Sequence, residues 1–108
     1  MFNYLLKIEY DGTKFVGWQS QKNGRSIQST IEKALKRVLK TQIRITGSGR
    51  TDKGVHALSQ YANFKSKKKI NEKKTFLNSI NFFLKKNNIS ILDIKPKNNY
   101  FHARYSAK

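Results

Sequence analysis

Apolar residues alternate along the first ten positions. Phe2, Tyr4, Leu6, Ile8 and Tyr10 fall on one parity, with Asn3, Leu5, Lys7 and Glu9 on the other. A period of two predicts a strand with one mostly apolar face, and Asp11-Gly12 is a turn signal that ends it. From Ser26 the period changes. Ile27, Ile31, Ala34, Leu35, Val38 and Leu39 recur at helical spacing, while Lys33, Lys36, Arg37 and Lys40 lie off that face. Ser26 is the expected N-cap, and Ser29 to Glu32 has capping-box spacing one turn later. Two alternating runs follow, Gln42 to Thr46 and Leu58 to Phe64. In the second, Leu58, Gln60, Ala62 and Phe64 share one parity, and Ser59, Tyr61 and Asn63 the other. Asn71 is the expected cap of a second helix, whose stripe is Phe76, Leu77, Ile80, Phe83 and Leu84 and whose end is Lys85 to Asn88. Ile89, Ile91 and Ile94 predict a strand stopped by Pro96. Tyr100 to Ser106 is a candidate last extended segment.

The order is strand, helix, strand, strand, helix, strand, without an internal repeat. It predicts an α+β fold: a ferredoxin-like βαββαβ domain with an antiparallel sheet and two helices on one face. A chain of 108 residues is enough for one such domain.

Charge changes the picture more than any other bulk property. There are 23 Lys+Arg against 6 Asp+Glu, a formal net charge of +17. A polyanionic partner is the natural reading, because each neutralised phosphate releases counterions. Chain-wide enrichment in Lys, Asn and Ile also fits a merely solvated surface, and Lys65 to Lys69 reads most simply as a basic connector. There is no cysteine, hence no disulfide framework and no thiolate metal site. The two histidines, His56 and His102, argue against a histidine-rich zinc centre. No apolar run approaches the roughly 20 residues of a membrane helix, and Lys7 and Glu9 break up the apolar N-terminus too early for a secretory leader. The expectation is a cytoplasmic protein without membrane association.

The most information-rich stretch is the loop from Gly47 to Ala57, between the second and third predicted strands. It holds three glycines, Asp52, Arg50, Lys53 and His56. Two nucleotide motifs fail on it. A P-loop starting at Gly49 needs Lys and Ser/Thr after Gly54, where Val55 and His56 stand. A dinucleotide fingerprint starting at Gly47 needs glycine at Asp52. Taken alone, Asp52 reads as a turn aspartate bonding its own loop.

Three stretches together carry a resemblance. Gly49-Arg50-Thr51-Asp52-Lys53-Gly54-Val55-His56-Ala57 resembles the active-site motif G-R-T-D-x-G-V-H-A of the TruA family of tRNA pseudouridine synthases, with every fixed position met. The segment from Tyr10 to Gln21 resembles that family's Y-D-G-x-x-F/Y-x-G-W-Q-x-Q. Phe101-His102-Ala103-Arg104-Tyr105-Ser106-Ala107 resembles its F-H-A-R-F/Y-S-A. The matches are co-linear and span nearly the whole chain.

The resemblance implies the same fold, and a reaction that isomerises uridines of the tRNA anticodon arm (positions 38–40) to pseudouridine. It implies that Asp52 is the catalytic carboxylate. An ionised carboxylate can attack covalently or act as a base, and both roles stay open. It implies that Arg50 serves base flipping, which the chemistry requires because a paired base hides its glycosidic bond. A guanidinium two residues away also favours the charged carboxylate. Thr51 and His56 read as loop-shaping, through bonds to backbone groups, and Gly47, Gly49 and Gly54 as backbone requirements. Lys53 occupies the family's variable position and is the candidate phosphate contact. Arg104 either contacts RNA or pairs with an acidic residue. Phe15 and Trp18 could stack on bases, but pinning their loop to the core is the simpler role.

The isomerisation involves no net redox change, so no cofactor and no metal are expected. The partners are the tRNA anticodon stem-loop and, in the full-length family, a second copy in a homodimer. Family members are about twice this length and carry a second, similar domain, so the expectation is that residues 1–108 are the N-terminal half and inactive alone. The competing reading is a non-catalytic basic RNA-binding module. Ser59 to Phe64 does not fit the aromatic signature of an RRM, and a merely structural protein leaves the Asp52 loop unexplained.

Overall fold

A computed structural model describes residues 1–10, 26–47 and 60–98. The elements run β1 (Phe2–Tyr10), α1 (Ile27–Leu39), β2 (Ile45–Gly47), β3 (Gln60–Ser66), α2 (Lys73–Leu84), a 3-10 turn (Lys85–Asn87) and β4 (Ile89–Lys97). The four strands form one antiparallel sheet in the order β2-β3-β1-β4. This is the expected α+β, ferredoxin-like arrangement.

Strand parity decides which face carries the core. Tyr4, Leu6, Ile8 and Tyr10 of β1 are buried with Ile45, Ala62, Phe64, Ile89, Ile91 and Ile94. They pack with Ile27, Ile31, Ala34, Leu35 and Leu39 of α1 and with Phe76, Ile80 and Leu84 of α2. Both helices therefore cover one face of the sheet. The helical stripes are those read from the periodicity, with Val38, Leu77 and Phe83 partly buried at their margins.

Helix α1 starts where the sequence places it. The Ser29 N–H donates to Ser26 Oγ at 3.1 Å, which satisfies one of the amides that a helix start leaves open. Lys40 closes the helix in the left-handed conformation, and Lys36 and Arg37 lie in the last turn, where cations suit the helix dipole. The Ser29–Glu32 capping box does not form. Glu32 Oε2 instead accepts from the Ile45 N–H at 3.0 Å, because β2 passes beside the helix and offers an unpaired edge amide.

Three further expectations are corrected. The N-cap of α2 is Glu72, without a side-chain cap bond, and not Asn71. Pro96 does not stop β4, which continues to Lys97. As an edge strand, β4 tolerates a residue with no N–H to donate. Its register shifts opposite Lys7/Ile8, so the spacing from Ile91 to Ile94 is a bulge that returns Ile94 to the core face. The second strand is shorter than Gln42–Thr46 and begins at Ile45, although Ile43 is still buried.

Both edges of the sheet are sealed by helix side chains. On β2, Gln28 Nε2 donates to Ile45 O at 3.2 Å while Glu32 takes the Ile45 N–H. On β4, Asn81 Oδ1 accepts from the Ile91 N–H at 2.7 Å and Asn81 Nδ2 donates to Ile91 O at 3.0 Å. Each pair imitates a missing strand partner at one residue of an exposed edge.

Candidate active site and nucleic-acid interface

Of the site residues read from the sequence, Gly47 lies among the described residues. Gly49, Arg50, Thr51, Asp52, Lys53, Gly54, His56 and Arg104 lie outside them, as do Phe15, Trp18, His102 and the candidate segment from Tyr100 to Ser106. Gly47 is the last residue of β2, opposite Ala62 in register, rather than the first residue of the loop.

The roots of the motif-bearing segments are described. Gly47 and Gln60, which bracket the Asp52 loop, belong to the paired strands β2 and β3. Tyr10, the first residue of the N-terminal motif, ends β1. Its hydroxyl donates to Gln60 Oε1 at 3.1 Å in a buried hydrogen bond. Ser26, at the far side of that segment, opens α1 beside β2, through the Gln28 bond to Ile45 described above. The first two motifs thus enter and leave at one end of the sheet. The third motif follows Asn98, at the opposite end, where Asn3 Nδ2 donates to Asn98 O at 2.8 Å.

The register sets out the sheet face that the helices leave uncovered. Three cross-strand rows run over β3, β1 and β4: Tyr61–Lys7–Asp93, Asn63–Leu5–Lys95 and Lys65–Asn3–Lys97. Four lysines and two acidic side chains, Asp93 and Glu9, thus occupy this face along β1, β3 and β4. The row nearest the Asp52 loop carries Tyr61, the one exposed aromatic of these rows. Asn3 and Asn63 are buried at the other end, where Asn63 Nδ2 donates to Asn3 Oδ1 at 3.3 Å. A shallow cavity of about 120 Å³ is lined by Leu5, Lys7, Tyr61, Asp93 and Lys95. Asp93 is the one carboxylate that lines it. Lys73 forms an ion pair with Asp93 Oδ1. That bond, opposed in part by desolvation and helped by the Ile94 N–H, holds the Asp93 carboxyl below its ordinary value.

Sequence reading had assigned no role to Tyr61, Lys7 and Lys95. Their parity was legible, but which residues stand side by side depends on the register between strands far apart in sequence. Among the described residues no group of three or more His, Cys, Asp or Glu is placed to hold a metal ion. No described helix is long and apolar enough to cross a membrane.

Comparison with known proteins decides the family. The model of the family described as tRNA pseudouridine synthase matches residues 7–106. The chain belongs to the tRNA pseudouridine synthase family. It is 51% identical over 108 residues to the tRNA pseudouridine synthase A of Pelagibacter ubique, an alignment covering all of this chain and 44% of that protein. It is 50% identical over 108 residues to the synthase A of Caldicellulosiruptor saccharolyticus, covering all of this chain and 43% of that one. Against the synthase A of Aquifex aeolicus the identity is 44% over 108 residues, again with all of this chain and 44% of the relative covered. The chain therefore spans less than half the length of these pseudouridine synthases, and the match is continuous across what it does span.

Proposed function

We propose that the protein carrying this chain is a tRNA pseudouridine synthase that isomerises uridines of the anticodon arm, with Asp52 as its catalytic carboxylate. The observation that carries the reading is the end-to-end identity of 51% with a protein named tRNA pseudouridine synthase A, over a stretch that contains the intact Gly49–Ala57 motif. The reaction breaks the bond from N1 of uracil to C1′ of ribose, turns the base, and joins C5 to C1′. C5 loses a proton and N1 gains one, so atoms and electrons balance without an external oxidant or reductant. Ionised Asp52 serves either as nucleophile or as base. Arg50 fills the space that the extruded uridine vacates and favours the charged form of Asp52.

Lys53 and Arg104 are proposed as contacts to the RNA backbone. Gly49, Thr51, Gly54 and His56 are proposed to shape the loop. The rooting of that loop in two paired strands supports the assignment, since a reacting group must be held in place to gain the proximity advantage. A cytoplasmic location and a homodimer of the complete protein belong to the same reading.

The test is to incubate the complete protein with unmodified tRNA tritiated at uracil C5 and to map the product by mass spectrometry. Tritium release with pseudouridine confined to the anticodon arm is the expected result. Release from other arms would overturn the proposed substrate, and no release from any tRNA would overturn the proposed activity.

A further inference from the structure

We propose that Tyr61, with Lys7 and Lys95, forms a nucleotide platform on the open face of the sheet, which takes one unpaired RNA base against the Tyr61 ring and its flanking phosphates on the two lysines. The inference rests on the tRNA reading above and deepens it by naming a surface of this domain that holds the RNA.

Five observations converge. Tyr61 is 42% exposed, on the face away from the helices, so its ring is open to solvent with no core role to explain it. Lys7 stands directly opposite Tyr61 on β1, and Lys95 lies in the adjacent row on β4. All three line the same cavity of about 120 Å³. Tyr61 immediately follows Gln60, so the platform lies at the strand end from which the Asp52 loop departs. Finally, the one carboxylate lining the cavity, Asp93, is ion-paired with Lys73, and the two lysines outnumber it. Aromatic rings accept any base by stacking, and lysines beside them accept phosphate.

The helical layer offers a rival surface. Phe82 is 64% exposed, with Phe83 edge-on at a centroid distance of 5.4 Å. Lys85 Nζ, however, lies over the Phe82 ring at 5.4 Å, and this layer faces away from the open sheet face. Access to the ring and position both favour the sheet face.

The test measures binding of residues 1–108 to a single-stranded oligouridylate and to unmodified tRNA, as a function of salt. Tyr61→Ala is expected to weaken oligouridylate binding by about fivefold to hundredfold, the range that loss of one base–aromatic stack gives. Tyr61→Phe keeps the ring and should bind like the wild type. Lys7→Ala with Lys95→Ala should lower the slope of log affinity against log salt by about 0.7 for each lysine, as for single strands. Phe82→Ala is expected to change nothing.

Unchanged binding by Tyr61→Ala would overturn the platform, and weakened binding by Phe82→Ala would move the site to the helices. A Tyr61→Phe protein as weak as Tyr61→Ala would replace stacking by a role of the hydroxyl. If the wild-type chain binds neither RNA, both the platform and the RNA reading fall. Turnover plays no part in these measurements, so the platform can fail while the proposed activity stands, and the reverse.

Discussion

Single residues set the local electrostatics and the entry to α1. Ser26 caps α1 through the Ser29 N–H. Ser26→Ala is expected to cost about 0.5–2 kcal/mol, measurable by urea unfolding. Asp93 gives a pH signature. Its folded pKa lies below the ordinary aspartate value, chiefly through the hydrogen bond from Lys73. A depressed carboxylate contributes stability that is present above the unfolded pKa and is lost as pH falls through the folded value. A nuclear magnetic resonance titration should therefore place the Asp93 midpoint below that of an ordinary aspartate, and Lys73→Ala should move it upward. A midpoint unmoved by Lys73→Ala would contradict the assigned cause. Ser26 was legible in the sequence because capping is local. The Lys73–Asp93 pair was not, since the two residues meet only after α2 packs on β4.

Elements meet through two devices that sequence periodicity does not report. Period two and period 3.6 located all four strands and both helices, and named the stripes that became the core. They did not reveal that α1 and α2 each reach over to seal one sheet edge. Gln28 and Glu32 hold both backbone groups of Ile45, and Asn81 holds both of Ile91. Glu32 read as a capping-box residue because its spacing from Ser29 is right; an unpaired edge amide competed for it and won. Likewise Pro96 read as a strand stop, because an edge position cannot be recognised before the strand order is known. Asn81→Ala removes two part-buried hydrogen bonds from the β4 edge, and at a net of about 0.5–1.5 kcal/mol each the variant loses about 1–3 kcal/mol. Thermal unfolding should report a loss in that range. A variant as stable as the wild type would mean that solvent replaces the clamp at no cost. In the shared core, Leu35→Ala should cost about 2–5 kcal/mol, read from the same melts.

At the scale of the whole molecule, a basic α+β domain brings the roots of two motif segments to one end of its sheet and lysines to its open face. A net charge of +17 predicts a steep fall in tRNA affinity with added salt, by release of counterions from the RNA. A flat log–log plot would reduce the lysines to solvated surface. The motif residues Arg50, Asp52 and Arg104 were legible from the sequence by resemblance alone, since composition leaves Asp52 an ordinary turn residue. The Tyr61 row was illegible, because it exists only once β1, β3 and β4 are in register.

The chain spans 44% of the Pelagibacter synthase, less than half the length of a protein of that name. Residues 1–108 alone are therefore expected to release no tritium from C5-labelled tRNA, because proximity worth roughly 7–11 kcal/mol depends on a positioned base. Turnover near that of a complete synthase would show that this domain suffices.

The central claim is that Asp52 performs the isomerisation. The most direct measurement compares pseudouridine formation and tRNA affinity for the complete protein and its Asp52→Asn variant, with circular dichroism to verify the fold. Turnover is expected to disappear in Asp52→Asn while the fold and tRNA binding are kept. Normal turnover by a verified, folded Asp52→Asn protein would contradict it.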